Sequence, residues 1–164
     1  MALVADDLMK IAVETLRAHP FGFLSTLGRD RVHTRLVEHL AIDDDLGVWI
    51  GTSPRSRKVA QVAGRPEVTY AVEDREGAGA VTLQARARVV TDERERAARW
   101  RDDIAPFFPG GPRGDDFVLL ALRPYRIEVM SFAQGVHPEP YGLVPAVAAW
   151  DGEGWRVVAA ERRA

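Results

Sequence analysis

The chain has 164 residues, 46% of them hydrophobic and 28% charged, with a formal net charge of −2 and no cysteine. That is the make-up of one ordinary globular domain, large enough to bury a core without covalent staples. It excludes disulfides, thiolate metal sites and a cysteine nucleophile, and it supplies no overall field that would draw nucleic acid or an anionic membrane.

The opening segment carries acids early and lacks the basic start and long apolar run of a signal peptide, and no stretch reaches membrane-spanning length, so a cytoplasmic protein is expected. A helix is predicted first: Asp6 or Asp7 can cap it, Leu8, Ile11, Ala12, Thr15 and Leu16 recur at helical spacing, and His19–Pro20 ends it. The period then changes. Phe21–Leu27 and Val32–Ile42 are β-rich with Gly28–Arg29–Asp30 between them, and after the turn Asp43–Gly47 a third strand contains Val48–Trp49–Ile50. Ser56 is placed to cap a short helix through Ala63, with Gly64 in the position of a C′ glycine and Pro66 as a stop. Glu67–Val72 and the alternating Val81–Val90 read as strands. A second full helix is expected over Thr91–Phe108, capped by Asp92 with Glu95 in capping-box position. Phe117–Leu122 and Tyr125–Phe132, divided by Arg123–Pro124, read as two strands. Ala133–Pro145 is a proline-punctuated linker, and a hairpin with the loop Asp151–Gly154 sets Trp150 opposite Trp155.

This order of elements predicts a mainly β (α+β) fold, a small antiparallel split barrel with flanking helices. Residues 1–132 form the domain, and residues 133–164 are a linker and hairpin packed on the same domain or on a dimer partner. No dinucleotide-binding G-x-G-x-x-G opens a helix, and no G-x-x-x-x-G-K-[ST] occurs. The chemistry concentrates instead where the third strand ends. Thr52 and Ser53 leave the strand, Ser56 stands at the helix start, and Arg57 and Lys58 follow at once. Hydroxyls, free backbone N–H groups, a guanidinium and an ammonium suit a dianionic phosphate. A solvated basic surface is the competing reading.

From Phe21 to Met130 the chain resembles the FMN-binding split-barrel family typified by pyridoxamine 5'-phosphate oxidase, nearest to its general stress protein 26 type. The resemblance is carried by Thr52 and Ser53 followed by Ser56–Arg57–Lys58, by Arg35–Leu36–Val37 upstream, by the long strand Val81–Val90 with Asp92 after it, and by the tryptophan and glycine-rich loop in Trp100–Gly111. It implies that Thr52, Ser53, Ser56, Arg57 and Lys58 bind the FMN phosphate and that Arg35, Leu36 and Val37 lie along the ring. It also implies a homodimer with flavin sites at the interface, where Trp100 is able to approach the flavin of the other chain. The vitamin-type oxidases carry a glutamine near the start of the long strand. Ala80 stands there in this chain, so Gln84 is the candidate replacement. Their Arg-Leu-x-x-Arg ending is missing as well, so turnover of pyridoxine phosphate is not expected.

The remaining candidates receive plainer readings. His19, His33, His39 and His137 lack ligand spacing, and His33 and His39 read as ordinary strand residues. Glu38 either lines the ring or pairs with Arg35 or Arg31, and pairing is the preferred reading. Asp43–Asp45 reads as a turn and no metal site is expected. Arg86 and Arg88 share a strand face that meets either solvent or an anionic substrate, with solvent preferred. Core packing is the competing role for Trp100. Two functions follow: an FMN-dependent oxidoreductase acting on a small molecule, with no catalytic residue assigned, or a flavin-binding stress protein without turnover. The same fold with the deazaflavin F420 or haem is the third alternative.

Overall fold

A computed structural model describes residues 4–137 and 145–158. The first helix, α1 (Ala5–Ala18), buries Leu8, Ile11, Ala12, Thr15 and Leu16, the five residues its periodicity singles out. Its N-cap position is Val4 rather than an aspartate; Asp7 sits in the first turn, where its carboxylate accepts from the Val4 N–H at 3.4 Å.

Strands β1 (Phe21–Leu27), β2 (Val32–Ile42) and β3 (Val48–Thr52) form the expected meander, and α2 (Arg57–Gly64) follows. Gly64 is the last helical residue and the cap is Arg65 at φ −144°, so the helix ends in extended backbone rather than in a left-handed glycine. Strands β4 (Glu67–Asp74) and β5 (Gly79–Val90) form the next hairpin. The second full helix does not form: α3 stops at Glu93–Ala98, and one turn of 3-10 helix follows at Asp102–Ile104. Asp92 caps α3, accepting from the N–H groups of Arg94 and Glu95. Past Ala98 the chain turns because Trp100 packs edge-on against Phe117, at 5.1 Å between ring centroids, and donates its indole N–H to Asp102.

The two strands expected at 117–132 are one, β6 (Val118–Ser131). Gln84 faces Arg126 and Ala85 faces Pro124, so Tyr125 is passed over in a bulge. Leu122 and Ile127 are both buried although their separation is odd. One inserted residue restores the inward parity, and the bulge also accommodates a proline that has no N–H for the ladder. A matching bulge at Leu40 lets both His39 and Ile42 face inward.

The sheet runs β3-β2-β1-β4-β5-β6 and closes on itself through β3–β6, giving a six-stranded antiparallel barrel. Along one edge β6 changes partner: residues up to Leu122 pair with β3, and residues from Arg126 pair with β7 (Ala146–Trp150), which carries β8 (Trp155–Val158). The hairpin is thereby joined to the barrel of its own chain. Trp150 and Trp155 are directly paired, at 6.2 Å and 71°. Positions 138–144 of the expected linker lie outside the described residues. Among the described residues no helix is long and apolar enough to cross a membrane.

The core joins α1 to the inner faces of the strands. A buried polar link fixes α1 in place. His39 Nε2 meets the Leu16 carbonyl at 2.8 Å, and His39 Nδ1 meets the Tyr70 hydroxyl at 2.8 Å. A carbonyl only accepts, so the proton is on Nε2, and Nδ1 accepts from Tyr70. Leu16 lies in the last turn of α1, where carbonyls lack helical partners. Gly22 makes room for this link, since a Cβ there would come within 2.6 Å of the Tyr70 ring and hydroxyl. His39 is therefore a structural group, which accords with its reading as an ordinary strand residue.

Burial pushes the His39 pKa down; the Leu16 carbonyl and Glu38 oppose this, and Arg101 adds to it. A histidine whose folded-state pKa lies below its unfolded value contributes stability that is complete above about pH 6.5 and is lost as pH falls. Thermal unfolding followed between pH 7.5 and 5 should show a falling Tm below about pH 6.5. In His39→Gln that slope should shrink by up to ~1.4 kcal/mol per pH unit, the limit for one proton. Identical slopes in the two proteins would remove His39 from this role.

Candidate functional site: a cationic cleft beside an open strand edge

Strand β2 has eleven residues and β3 five. Only His39, Ala41 and Ile42 of β2 pair with β3, so Val32–Glu38 is paired with β1 on one edge and, among the described residues, has no partner strand on the other. The chain leaving β3 at Thr52 turns into α2, which packs against β1 and β5 and meets β2 through the bond from Arg35 to Gln61. Val62 is the buried residue of α2, and the Arg65 side chain ties the end of the helix to the Gly28 carbonyl at 3.0 Å.

The cleft gathers three cations. Arg35, inward on β2, donates to the Leu24 carbonyl (3.2 Å), the Thr26 hydroxyl (2.6 Å) and Gln61 Oε1 (3.1 Å). Lys58 donates to Thr52 Oγ1 at 2.8 Å, and Thr52 donates on to Ser56 Oγ at 3.3 Å. Arg57 is exposed at the start of α2. Burial and then the Arg57 charge push the Arg35 pKa down, while burial and then the Arg35 charge push Lys58 down. Among the described residues none of the three forms an ion pair with a carboxylate. Two of them also sit at the positive end of a helix dipole, where cations are disfavoured. An anion relieves every one of these terms.

Several predicted residues thus converge: Arg35, Thr52, Ser56, Arg57 and Lys58. Ser56 occupies the N-cap position, but its side chain makes no capping bond and turns to Thr52 instead. Ser53 lies in the connecting turn, accepting from the Arg55 N–H at 3.2 Å. Leu36 points outward, 59% exposed, and Val37 points inward against the core. Gln84 is on β5, with β1 and β4 between it and β2, and is not part of the cluster. Trp100 packs in a second apolar cluster with Phe117. Glu38 pairs with Arg101 at 2.6 Å rather than with Arg35 or Arg31, which corrects the expected pairing: Arg35 turns inward to Thr26 and Gln61, and Arg31 pairs with Asp30. Gln61 and Thr26 are the residues that sequence reasoning missed. Their signal was present, since Gln61 is the polar residue one turn beyond Arg57 and Thr26 is a hydroxyl at an inward strand position.

A separate pocket of about 520 Å³ contains none of these cations and lies on the outer wall, lined by Trp49, Arg86, Arg88, Arg123 and the two hairpin tryptophans among others.

No curated protein matches the sequence. Solved structures share the fold. A pyridoxamine 5'-phosphate oxidase-related, FMN-binding protein from Nostoc punctiforme is 17% identical with a TM-score of 0.74, over 95% of this chain and 96% of that one. PhzG from Burkholderia lata, solved with tetrahydrophenazine-1-carboxylic acid, is 19% identical with a TM-score of 0.73, over 93% and 90%. A Clostridium acetobutylicum protein related to general stress protein 26 of B. subtilis is 14% identical with a TM-score of 0.70, over 78% and 91%. At such identities the likeness is one of fold. The sequence itself decides the family: residues 8–131 match the pyridoxamine 5'-phosphate oxidase model from the first turn of α1 to the end of β6, and to that family this chain belongs.

Proposed function

We propose that this protein binds FMN in the cationic cleft and acts as a flavin-dependent oxidoreductase on a small molecule. The observation that carries the reading is the trio Arg35, Arg57 and Lys58, gathered without a carboxylate partner beside the hydroxyls of Thr52 and Ser56. This donor set fits a phosphate monoester: Arg57 offers a planar fork, Lys58 a point charge, and Arg35 a third charge already held in place by Thr26 and Gln61. Beside it, the unpartnered edge of Val32–Glu38 offers backbone N–H and C=O groups at fixed spacing, which suits the donors and acceptors along a flavin ring. When bound, FMN supplies the hydride or electron chemistry, and the protein's part is to anchor, orient and shield it. Lys58 and Arg57 hold the phosphate end, and the β2 edge sets the height and tilt of the ring.

The site also favours a second chain. Phe21 (54% exposed) and Phe23 (53%) on β1 and Leu36 (59%) on β2 form an exposed apolar patch beside the cleft, with Phe23 directly paired to Leu36; the polar pair Ser25–Thr34 separates it from Val32. Contiguous exposed apolar surface of this kind marks an interface, and a two-fold contact would supply the missing wall of two clefts at once. A homodimer with flavin at its interface is therefore part of the proposal. The nearest alternative is a flavin carrier without turnover, which binds FMN identically but does not oxidise reduced nicotinamide in air.

Freshly purified protein should show a flavin absorption spectrum; a Soret band or a deazaflavin spectrum would replace FMN with another cofactor. Arg57→Ala and Lys58→Ala should each weaken FMN by about 10- to 100-fold, the worth of one charge-assisted hydrogen bond, with unchanged circular dichroism. Unchanged FMN affinity in both variants would defeat the assignment. Light scattering should give a dimer of the 18.1 kDa chain, and Phe23→Glu should shift it towards monomer and weaken FMN in parallel. A parent protein that is monomeric while holding one FMN per chain would rule out the shared site.

A further inference from the structure

The outer pocket lies where β6 leaves β3 and takes up β7. Its geometry points to a second binding site, which we propose takes a flat aromatic ligand bearing one negative charge. The inference is independent of whether the cleft binds a flavin.

The charge argument starts from sheet register. Arg86 on β5 and Arg123 on β6 are directly opposite one another. Like charges in that relation destabilise a sheet. Glu67 offsets Arg86 only loosely, at 3.5 Å, and it also accepts from the Tyr125 hydroxyl at 2.8 Å. Arg123 is exposed and has no carboxylate partner among the described residues. Arg88, next on the same face, is held by Glu95 at 2.5 Å. The acids of the pocket are committed elsewhere. Asp43 accepts the Trp49 indole N–H at 2.7 Å and pairs with Arg99 at 2.9 Å, and Asp45 accepts from the Gly47 N–H at 3.2 Å. With Arg86 beside Glu67, Arg88 held by Glu95 and Asp43 held by Arg99, Arg123 is the lining guanidinium left without a carboxylate partner among the described residues.

The aromatic argument is independent of the charges. Trp49 is fixed in orientation by Asp43 and by the Arg99 guanidinium, 4.5 Å over its ring. The far side is formed by the Trp150–Trp155 pair at the tip of the hairpin, with Trp150 still 48% exposed. Indole surfaces flanking an unpaired guanidinium recognise a π-system with an acidic substituent. A volume of about 520 Å³ is in the ordinary range for small-molecule sites, roughly 300–1,000 Å³. The Arg86/Arg88 face, for which a solvent-facing role was preferred on sequence, thereby acquires the anion-binding role that was its alternative.

The test is calorimetric titration of the full chain with 2-naphthoate, with its neutral amide as control, in the presence and absence of saturating FMN. One saturable site per chain is expected, insensitive to FMN and unchanged in Arg57→Ala. Arg123→Gln, and the exchange of carboxylate for amide, should each weaken binding by about 10- to 100-fold. Trp150→Ala tests the aromatic wall through an exposed residue and should also weaken binding. No saturable binding at millimolar naphthoate, equal affinity in Arg123→Gln and the parent, equal affinity for acid and amide, or displacement by FMN would each overturn the proposal. If Arg123→Gln failed to fold, full naphthoate affinity in a folded Trp150→Ala would overturn it as well. Failure of the flavin reading would show instead as loss of the FMN result alone.

Discussion

The architecture turns on a mismatch of length. β2 is more than twice as long as β3, and the barrel closes only through the short strand. Had β3 matched β2, the free edge at Val32–Glu38 would be an ordinary ladder. Because β3 ends at Thr52, the chain turns there and delivers Ser56, Arg57 and Lys58 against Arg35, which arrives from the inner face of β2. The resulting cluster of like charges costs the apo protein stability. Such a cost is typical of a site whose electrostatics are completed by its ligand.

Elements with one clean period were legible in the sequence. The five buried residues of α1 and the limits of β1 and β2 follow directly from apolar spacing and turn chemistry. The misreadings share a cause. At Arg123–Tyr125 the alternation breaks, and a broken period looks the same whether the strand stops or bulges; the pairing of β5 along the whole of β6 decides between them, and that pairing is non-local. α3 was overextended because 99–108 still contains helix-compatible residues, whereas the Trp100–Phe117 contact that diverts the chain joins distant segments. The cations of the cleft were legible as a motif. The scaffold that aims Arg35, made of Thr26 and Gln61, was not, because neither residue is chemically unusual until the strand and the helix are brought together.

Two surfaces of one short strand serve different sites. Thr52 faces inward and reaches Lys58, while Trp49, three residues earlier, faces outward and lines the second pocket. Trp49 is held on both edges, by β2 and by β6, whereas Thr52 is paired with β6 alone. A displacement of β3 would be felt on both sides of the wall. The Leu46 backbone, at φ 67° in the turn before β3, adds local strain that the full burial of its side chain offsets.

The β3–β6 seam also bears on how the chain reaches its native state. Every other strand pairing of the barrel closes a shorter stretch of chain, the β1–β4 pairing across β2, β3 and α2 included, whereas this one joins the end of the first meander to a strand formed long afterwards. Closing that contact carries the largest loop entropy in the molecule and belongs late in folding. Thr52 is the terminal residue of the seam, so the hydroxyl that meets Lys58 is set only once the barrel has shut. A phosphate bound as proposed would then act as a clasp on the last-formed joint of the barrel, and chains that have not yet made β6 would lack that site.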